Sequence, residues 1–499
     1  MANNATKKET FYFFDDPVQS RGVQTIPVKG RVLPDPVILL GKKNEWDELR
    51  IQYCTVIPDA KEKKFRMWYL GLPDGPIFEY RKSPKSVIDA YGKHRTSQLQ
   101  IGYAESLNGL HWTKPNLGLV EYRGSHNNNI LPFLPRYPGR PLVIEDPGTE
   151  PFPHRYKMIF SHMGGGGLAV SENGVNWNLY KKGVNLFKAG RERGEKEGFD
   201  HYILEPFAFL KDKDTKDSEK KYRLYTQASS GPPFGIRRTA LLSSPDAQHW
   251  NRHPYPVMGI PDGGTGLSGQ IHGLAMTLFQ GYFIAFIHFC LPHPKTGWVA
   301  PRVHLALSKN GETFTIFEDE ESPLIPLGPE KSWWEGGISS DSLIQTGNEF
   351  RCYFTGLPVT ASWAGGVKGS DLTPHLQTGM ASWELGRLLS ASLKPGFSEG
   401  YLTLNLFNVQ TDVQPEVVLN LEWEKGEKDI MVALLDSKTE LAVDGFSFHD
   451  FQIKDKNRKE IKGRWKQGKI LKKNSSVLPC LRITGKTTQV FSLTLIEKS

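Results

Sequence analysis

Cysteine is scarce: four occur in 499 residues, Cys54, Cys290, Cys352 and Cys480, far apart and never as a C-x-x-C pair. This excludes a zinc ribbon and a disulfide framework and leaves buried strand thiols as the expectation. Long apolar runs are missing too. No stretch approaches the roughly 18 apolar residues of a membrane span, and the N-terminal MANNATKKETFYFFDD has neither an apolar core nor a small-residue cleavage site. No membrane partner is expected, and the chain reads as cytoplasmic or as a secreted protein without its signal peptide. Excess charge of one sign is also small. Lys and Arg (62) outnumber Asp and Glu (54) by 8, too few over this length to suggest a nucleic-acid partner, though enough to keep anionic glycans among the expected ligands.

Amphipathic helices are absent as well, whereas 49 glycines and 34 prolines mark a turn-rich chain. What fills it is a repeat. GYAESLNGLHW, LAVSENGVNW, ALLSSPDAQHW and VHLALSKNGETF each carry a Ser, then Asn or Asp two residues on, then an aromatic six residues on. The serines are Ser106, Ser171, Ser244 and Ser308, and Ser382 in GMASWELGRLLS marks a degenerate fifth copy. Asn-Gly accepts the positive φ of a tight turn, and the aromatic is suited to wedge between sheets.

A second marker recurs in phase before each copy: KFRMWYLG, RYKMIFSHM, KYRLYTQAS, YFIAFIHFC and EFRCYFTG. These aromatic and β-branched runs read as interior strands. Five units of about 70 residues, each supplying about four strands, predict an all-β, five-bladed β-propeller over residues 31–390, with Trp112, Trp177 and Trp250 buried between sheets. Beyond it, YLTLNLF, EVVLNLEW, DIMVALLD, CLRITG and VFSLTLIE alternate apolar and polar residues, predicting a C-terminal β-sandwich over 391–499. Residues 1–30 read as an N-terminal extension, and the Lys-rich stretch 454–473 as a solvated hairpin.

Five blades followed by a sandwich resemble the propeller glycoside hydrolases of families 32, 43 and 68. The phrase IGYAESLNGLHWTKPNLGLVEY (101–122) is similar to a bacterial group described as glycosyl hydrolase-like. The resemblance implies hydrolysis of glycosidic bonds in an oligo- or polysaccharide. Family 32 motifs are present only in part: Asp35-Pro36 lies in RVLPDPVIL, Asp146-Pro147 follows Glu145 where the family has Arg, and Glu205-Pro206 lacks the preceding family pattern's Cys. Six-bladed sialidases also use Ser-x-Asp turns, but five copies and no arginine triad set this chain apart.

Inner strands of a propeller begin at the axial mouth, so ligand groups are expected there. Counting back nine residues from Val56, Phe209 and Ile344 reaches Asp47, Asp200 and Glu335; from Glu145 and Leu278 it reaches Arg136 and Gly269. Trp46 beside Asp47 and Trp334 beside Glu335 pair an aromatic with an acid, the combination that stacks on and hydrogen-bonds a sugar. Candidate substrate contacts are Trp46, Arg50, Arg136, Arg140, His201, Gln270, His272 and Trp334. Glycoside hydrolysis needs a protonated acid and a second carboxylate. Glu335 or Glu205 is assigned as acid, Asp47 as nucleophile or base and Asp200 as stabiliser.

No H-E-x-x-H, G-x-S-x-G or Cys-His metal spacing occurs, and the glycine run in HMGGGGLAV precedes neither a helix nor Lys-Ser/Thr. No cofactor is expected, although oxygen ligands for a calcium or sodium ion on the axis would leave no compact spacing. Two rivals to the hydrolase follow from the same sequence: a non-catalytic carbohydrate-binding propeller, given the incomplete motifs, and a polysaccharide lyase.

Overall fold

The computed structural model describes residues 7–12, 18–73, 99–132, 139–147, 154–162, 165–180, 190–192, 201–230, 237–259, 270–290, 292–293, 297–298, 301–317, 323–358, 375–422, 430–457, 459–466, 469–485 and 488–497. Their regular structure is almost entirely β-strand; among them the helical elements are two three-residue 3-10 turns, Ser218–Lys220 and Phe448–Asp450. The chain forms two units, one of Gly30–Trp383 and one that joins Met1–Lys29 to Glu384–Ser499.

The first unit is a β-propeller. Among the described residues it holds five antiparallel sheets of three to five strands, plus the short pair Pro292–His293 and Gly297–Trp298. The sheets begin with the inner strands β1 (Arg50–Asp59), β2 (Leu142–Glu145), β3 (His201–Lys211), β4 (Gln270–Phe279) and β5 (Gly337–Thr346). Each inner strand neighbours the next, and β5 returns to β1. Arg31–Val32 closes this ring as the outermost strand of the sheet that β5 begins, pairing with Ala381 and Ser382.

The repeated serines build identical turns. Ser106 Oγ accepts from the amides of Asn108 and Gly109, Asn108 Oδ1 accepts from Leu110 and His111, and Trp112 Nε1 donates to Gly109 O. Ser171, Asn173 and Trp177 repeat the pattern. Gly109, Gly174 and Gly311 hold φ of +73°, +76° and +71°, which glycine adopts without strain. A Cβ on them would also strike the preceding sheet, at 2.7 Å from Tyr353 Oη, 2.8 Å from the Trp68 ring and 2.7 Å from Tyr225 Oη respectively. The carbonyls of these glycines accept from those same residues, Tyr353, Trp68 and Tyr225. Trp112 packs edge-on to Tyr353, Trp177 to Trp68 and Phe314 to Tyr225, so each turn aromatic grips the sheet before its own. Trp112 and Trp177 are buried as expected, while Trp250 remains partly exposed against Phe209.

Acids at the outer ends of the inner strands add charged latches between sheets. Asp59, after β1's apolar run, accepts from Arg66 at 2.7 Å in its own sheet and from Arg155 at 2.6 Å and Tyr156 at 3.3 Å in the next. Asp146, just past β2, receives Lys157 at 2.8 Å, Tyr222 at 2.5 Å and Lys211. Asp212 pairs with Arg223 of its own sheet at 3.3 Å and so makes no such latch. Burial opposes ionisation of Asp59, but the Arg66 and Arg155 hydrogen bonds outweigh it and hold the carboxyl well below the usual range.

The second unit has a seven-stranded and a five-stranded sheet over an apolar core that includes Val417, Leu419, Leu421, Val432, Leu434, Trp465 and Leu481. Glu416–Glu422 buries alternate residues, as its period-two pattern requires. The first residues are not a free extension. Lys7–Tyr12 pairs with Gln489–Glu497, Gln19–Arg21 with Gly400–Thr403 and Val23–Pro27 with Leu389–Leu393, so the chain start completes sheets begun by its far end. That places the division at Glu384 rather than after 390. Phe451–Lys456, in the Lys-rich stretch, is exposed after its first residue. All four cysteines are free and buried.

Candidate functional site

Four of the five inner strands break their pairing register at a residue that faces the same interior region. The breaks lie between Gln52 and Thr55 in β1, between Ile203 and Pro206 and again before Ala208 in β3, between Ile271 and Gly273 in β4, and between Ser340 and Ser342 in β5. A bulge inserts an unpaired residue and re-aims its side chain. The residues so displaced include Tyr53, Glu205, His272 and Asp341. Tyr53 has φ of +54°, strained for a bulky residue; its amide donates to Asp341 Oδ2 at 3.1 Å and Thr355 Oγ1 at 3.2 Å, which fixes the distortion. Below them a cavity of about 340 Å³ is lined by all five inner strands, with Asp341 on its wall.

Arg140, just before β2, lies among these bulges. Its guanidinium stacks 4.5 Å over the Tyr53 ring and 5.8 Å from that of Phe207, and Nη2 stands 3.9 Å from Asp341 Oδ1. Asp341 also accepts from Thr355 Oγ1 at 2.5 Å and from Ser339 Oγ at 3.4 Å. Burial pushes its carboxyl up to about 6, against the opposing pull of Arg140 and these donors. Glu205 is raised as well, again by burial and against Arg140 and Arg237. Unlike Asp341, Glu205 accepts no hydrogen bond among the described residues and is partly exposed.

Two histidines lie beside these groups. His272 receives Arg237 Nη1 at Nδ1, 3.2 Å away, and its Nε2 faces Gln270 Oε1 at 3.2 Å. Burial, then Arg237, lowers His272 to about 3 and leaves it neutral near pH 7, the tautomer with Nε2–H donating to Gln270. His288, its ring centre 5.9 Å from that of His272, is also held well below the ordinary value by burial.

Of the residues named from the sequence, the structure brings Glu205, Arg140, Gln270 and His272 together here. Arg50 opens β1 and interacts electrostatically with Tyr53. Asp200 and Arg136 lie outside the described residues, as does the side chain of His201, which opens β3.

Asp47 and Glu335 are placed elsewhere. Asp47 is buried in the loop before β1, accepting Tyr69 Oη at 2.8 Å and pairing with Lys114 at 2.6 Å. Glu335 accepts the amide of Lys331, whose φ is +65°. Its counterpart is Glu48, which accepts the amide of Asn44, φ +74°, at 2.6 Å. Both glutamates therefore close the same local turn.

The two phrases are one residue out of step. Val56 pairs with Met67, Phe209 with Leu224 and Leu343 with Cys352, so the equivalent of Val56 in β5 is Leu343, not Ile344. Counting nine back then matches Asp47 with Trp334, and Trp46 with Trp333. Trp46 and Trp333 fill the same space opposite strand glycines, Gly71 and Gly102 in one sheet and Gly356 and Gly379 in the other. Trp46 is buried, stacks on Tyr69 and donates to Asn129; Trp334 is buried against Trp333. Both rings are packed against neighbouring side chains.

Tyr53, Arg237, His288 and Asp341 were not found from the sequence. One signal was available, Pro206 within an apolar strand, because a proline inside a sheet marks an edge or a bulge.

Among the described residues no group of three or more His, Cys, Asp or Glu is placed to hold a metal ion. No family model matches the chain, and a search of curated proteins found no match. Solved structures show a distant likeness. An N-acetylgalactosamine deacetylase from F. plautii, in complex with blood group B trisaccharide, is 14% identical over 73% of this chain and 96% of its own, with a TM-score of 0.45. A glycoside hydrolase family 43 arabinoxylan arabinofuranohydrolase from Bacillus subtilis is 12% identical over 90% and 96%, with a TM-score of 0.40. A family 32 β-fructofuranosidase from Bombyx mori is 12% identical over 93% and 94%, with a TM-score of 0.38.

Proposed function

We propose that this chain is a glycoside hydrolase whose working carboxyls are Glu205 and Asp341. The observation that carries the reading is the pair itself: two acids on the bulges of β3 and β5, both raised by burial and both acted on by Arg140. Cleavage of a glycosidic bond requires one carboxyl that gives a proton and one that is ionised. Glu205 fits the first role, since no described donor stabilises its charged form and its partial exposure leaves it within reach of a leaving oxygen. Asp341 fits the second. Donors from Tyr53, Thr355 and Ser339 orient it and favour the carboxylate, so that above pH 6 it is ready to attack the anomeric carbon or to draw a proton from water. Arg140 stabilises the ionised Asp341, and neutral His272 offers polar contact without competing for the proton.

The test is a screen of chromogenic glycosides and polysaccharides, read for release of reducing sugar. Hydrolysis that rises with pH through about 6 supports the assignment. Sugars that bind by calorimetry and yield no product would instead favour a binding propeller, and an unsaturated, ultraviolet-absorbing product would indicate a lyase.

A further inference from the structure

Resting on this reading of the axial site, we propose that the sugar held there carries an anionic group, a carboxylate or a sulfate, and that Arg140 receives it. Arg140 is 1% exposed, yet among the described residues its Nε and Nη1 have no hydrogen-bond partner, and Nη2 is 3.9 Å from Asp341 Oδ1, beyond hydrogen-bond reach. A buried guanidinium left in this state is costly unless something else completes it. Rings lie near the guanidinium, Tyr53 at 4.5 Å and Phe207 at 5.8 Å, and its unpartnered N–H groups are what the residue has left to offer. Oxygens of a carboxylate or sulfate are the acceptors that match such edges best.

The neighbourhood supplies a matching charge. Gly273 lies beside the guanidinium, where a Cβ would come within 3.2 Å of Nη2. Arg50, Arg140 and Arg237 face only two described carboxyls, Asp341 and Glu205, each with its ionisation suppressed by burial. His272 and His288 are neutral near pH 7 and add no charge. Among the described residues the site is thus cationic by at least one unit, since three arginines oppose at most two carboxylates. Sugar hydroxyls would supply acceptors but would leave that charge uncompensated.

The experiment is calorimetric titration of the full chain with D-glucuronate, D-galacturonate and galactose 6-sulfate, each beside its neutral parent, glucose or galactose, together with turnover of the matching nitrophenyl glycosides. At least one anionic probe is expected to bind roughly 10- to 100-fold more tightly than its parent, the range of a charge-assisted hydrogen bond. The uronate and sulfate arms tell which anion fits. Arg140→Gln should erase the preference and Arg140→Lys restore part of it, with thermal midpoints recorded for both. Should Arg140→Gln not fold, Gly273→Ala, which crowds Nη2 while keeping the charge, should weaken the anionic probe alone.

No anionic probe tighter than its parent, or a preference that survives in folded Arg140→Gln, overturns the proposal. Hydrolysis of neutral glycosides without preference would remove the anion and leave the hydrolase. Arg140-dependent binding of an anion without hydrolysis would do the reverse.

Discussion

The two ends of the same inner strands treat acidic residues in opposite ways. At the outer end Asp59 and Asp146 are surrounded by cations and phenols from two adjacent sheets, and Asp59 is held well below the ordinary range. At the bulged end Asp341 is driven up to about 6 and Glu205 is raised, while Arg140, the cation that acts on both, makes no hydrogen bond through Nε or Nη1 among the described residues. Burial alone does not distinguish them, because Asp59 and Asp341 are 1% and 3% exposed. The difference lies in the donors: Asp59 is hydrogen-bonded by two guanidiniums, whereas Asp341 is hydrogen-bonded by neutral groups and its nearest guanidinium nitrogen is 3.9 Å away. An acid held by cations fastens sheets together; a carboxyl whose ionisation burial perturbs can take part in chemistry.

Replacing Glu205 by Gln should have the largest effect. Loss of a proton donor is expected to lower turnover on any substrate found in the screen by about 10²- to 10⁴-fold. The thermal midpoint should hold, since Glu205 makes no described hydrogen bond that the amide would break. Near wild-type turnover in a folded Glu205→Gln would break the contrast at its functional end.

The opposite end should respond in stability instead. Asp59→Ala removes the carboxylate shared by Arg66 and Arg155 and leaves them Glu62 and Glu145, a change expected to cost about 1–3 kcal/mol in denaturant unfolding, with turnover per folded molecule unchanged. Its pH signature follows from the depressed carboxyl. The stabilisation is present above the usual carboxylate range and is lost as pH falls, so wild type and Asp59→Ala should converge in acid.

Asp47→Asn sharpens the boundary between the two classes. Asp47 is paired with Lys114 and Tyr69, which places it with the outer acids despite its position just before β1. A loss of about 1–3 kcal/mol in stability is expected from weakening this buried charged contact, and turnover should stay within twofold of wild type, on the order expected of a residue outside the chemistry. A hundredfold drop in turnover would return Asp47 to the catalytic set.

These ends also explain what the sequence discloses. The Ser-x-Asn turn is closed by hydrogen bonds among residues three or fewer apart, and the wedge aromatic follows at a fixed spacing, so Ser106 and Ser171 announce their sheets locally. The same locality makes the sandwich strand 416–422 readable from alternation. Bulges do not show in this way. Each adds a residue to one strand only once its partner is known: β1, β4 and β5 gain one and β3 gains two, and a count anchored on Ile344 lands one residue late because the residue paired like Val56 is Leu343. Glu205 and Arg140 were reachable through proximity to strand starts and the partial Glu-Pro motif. Asp341, in the run GISSDSLIQT, looks like an ordinary polar strand position until its bulge turns it toward Arg140.

Titration of individual aspartate carboxyls tests the contrast most directly, using carboxyl ¹³C NMR of the aspartate-labelled chain with Asp341→Asn and Asp59→Asn to assign the signals. One carboxyl should titrate at about 6 and vanish in Asp341→Asn. Another, absent from Asp59→Asn, should remain ionised well below the usual aspartate range. If the Asp341 signal titrates together with the surface aspartates, the bulged end does not hold the perturbed carboxylate on which the hydrolase assignment depends.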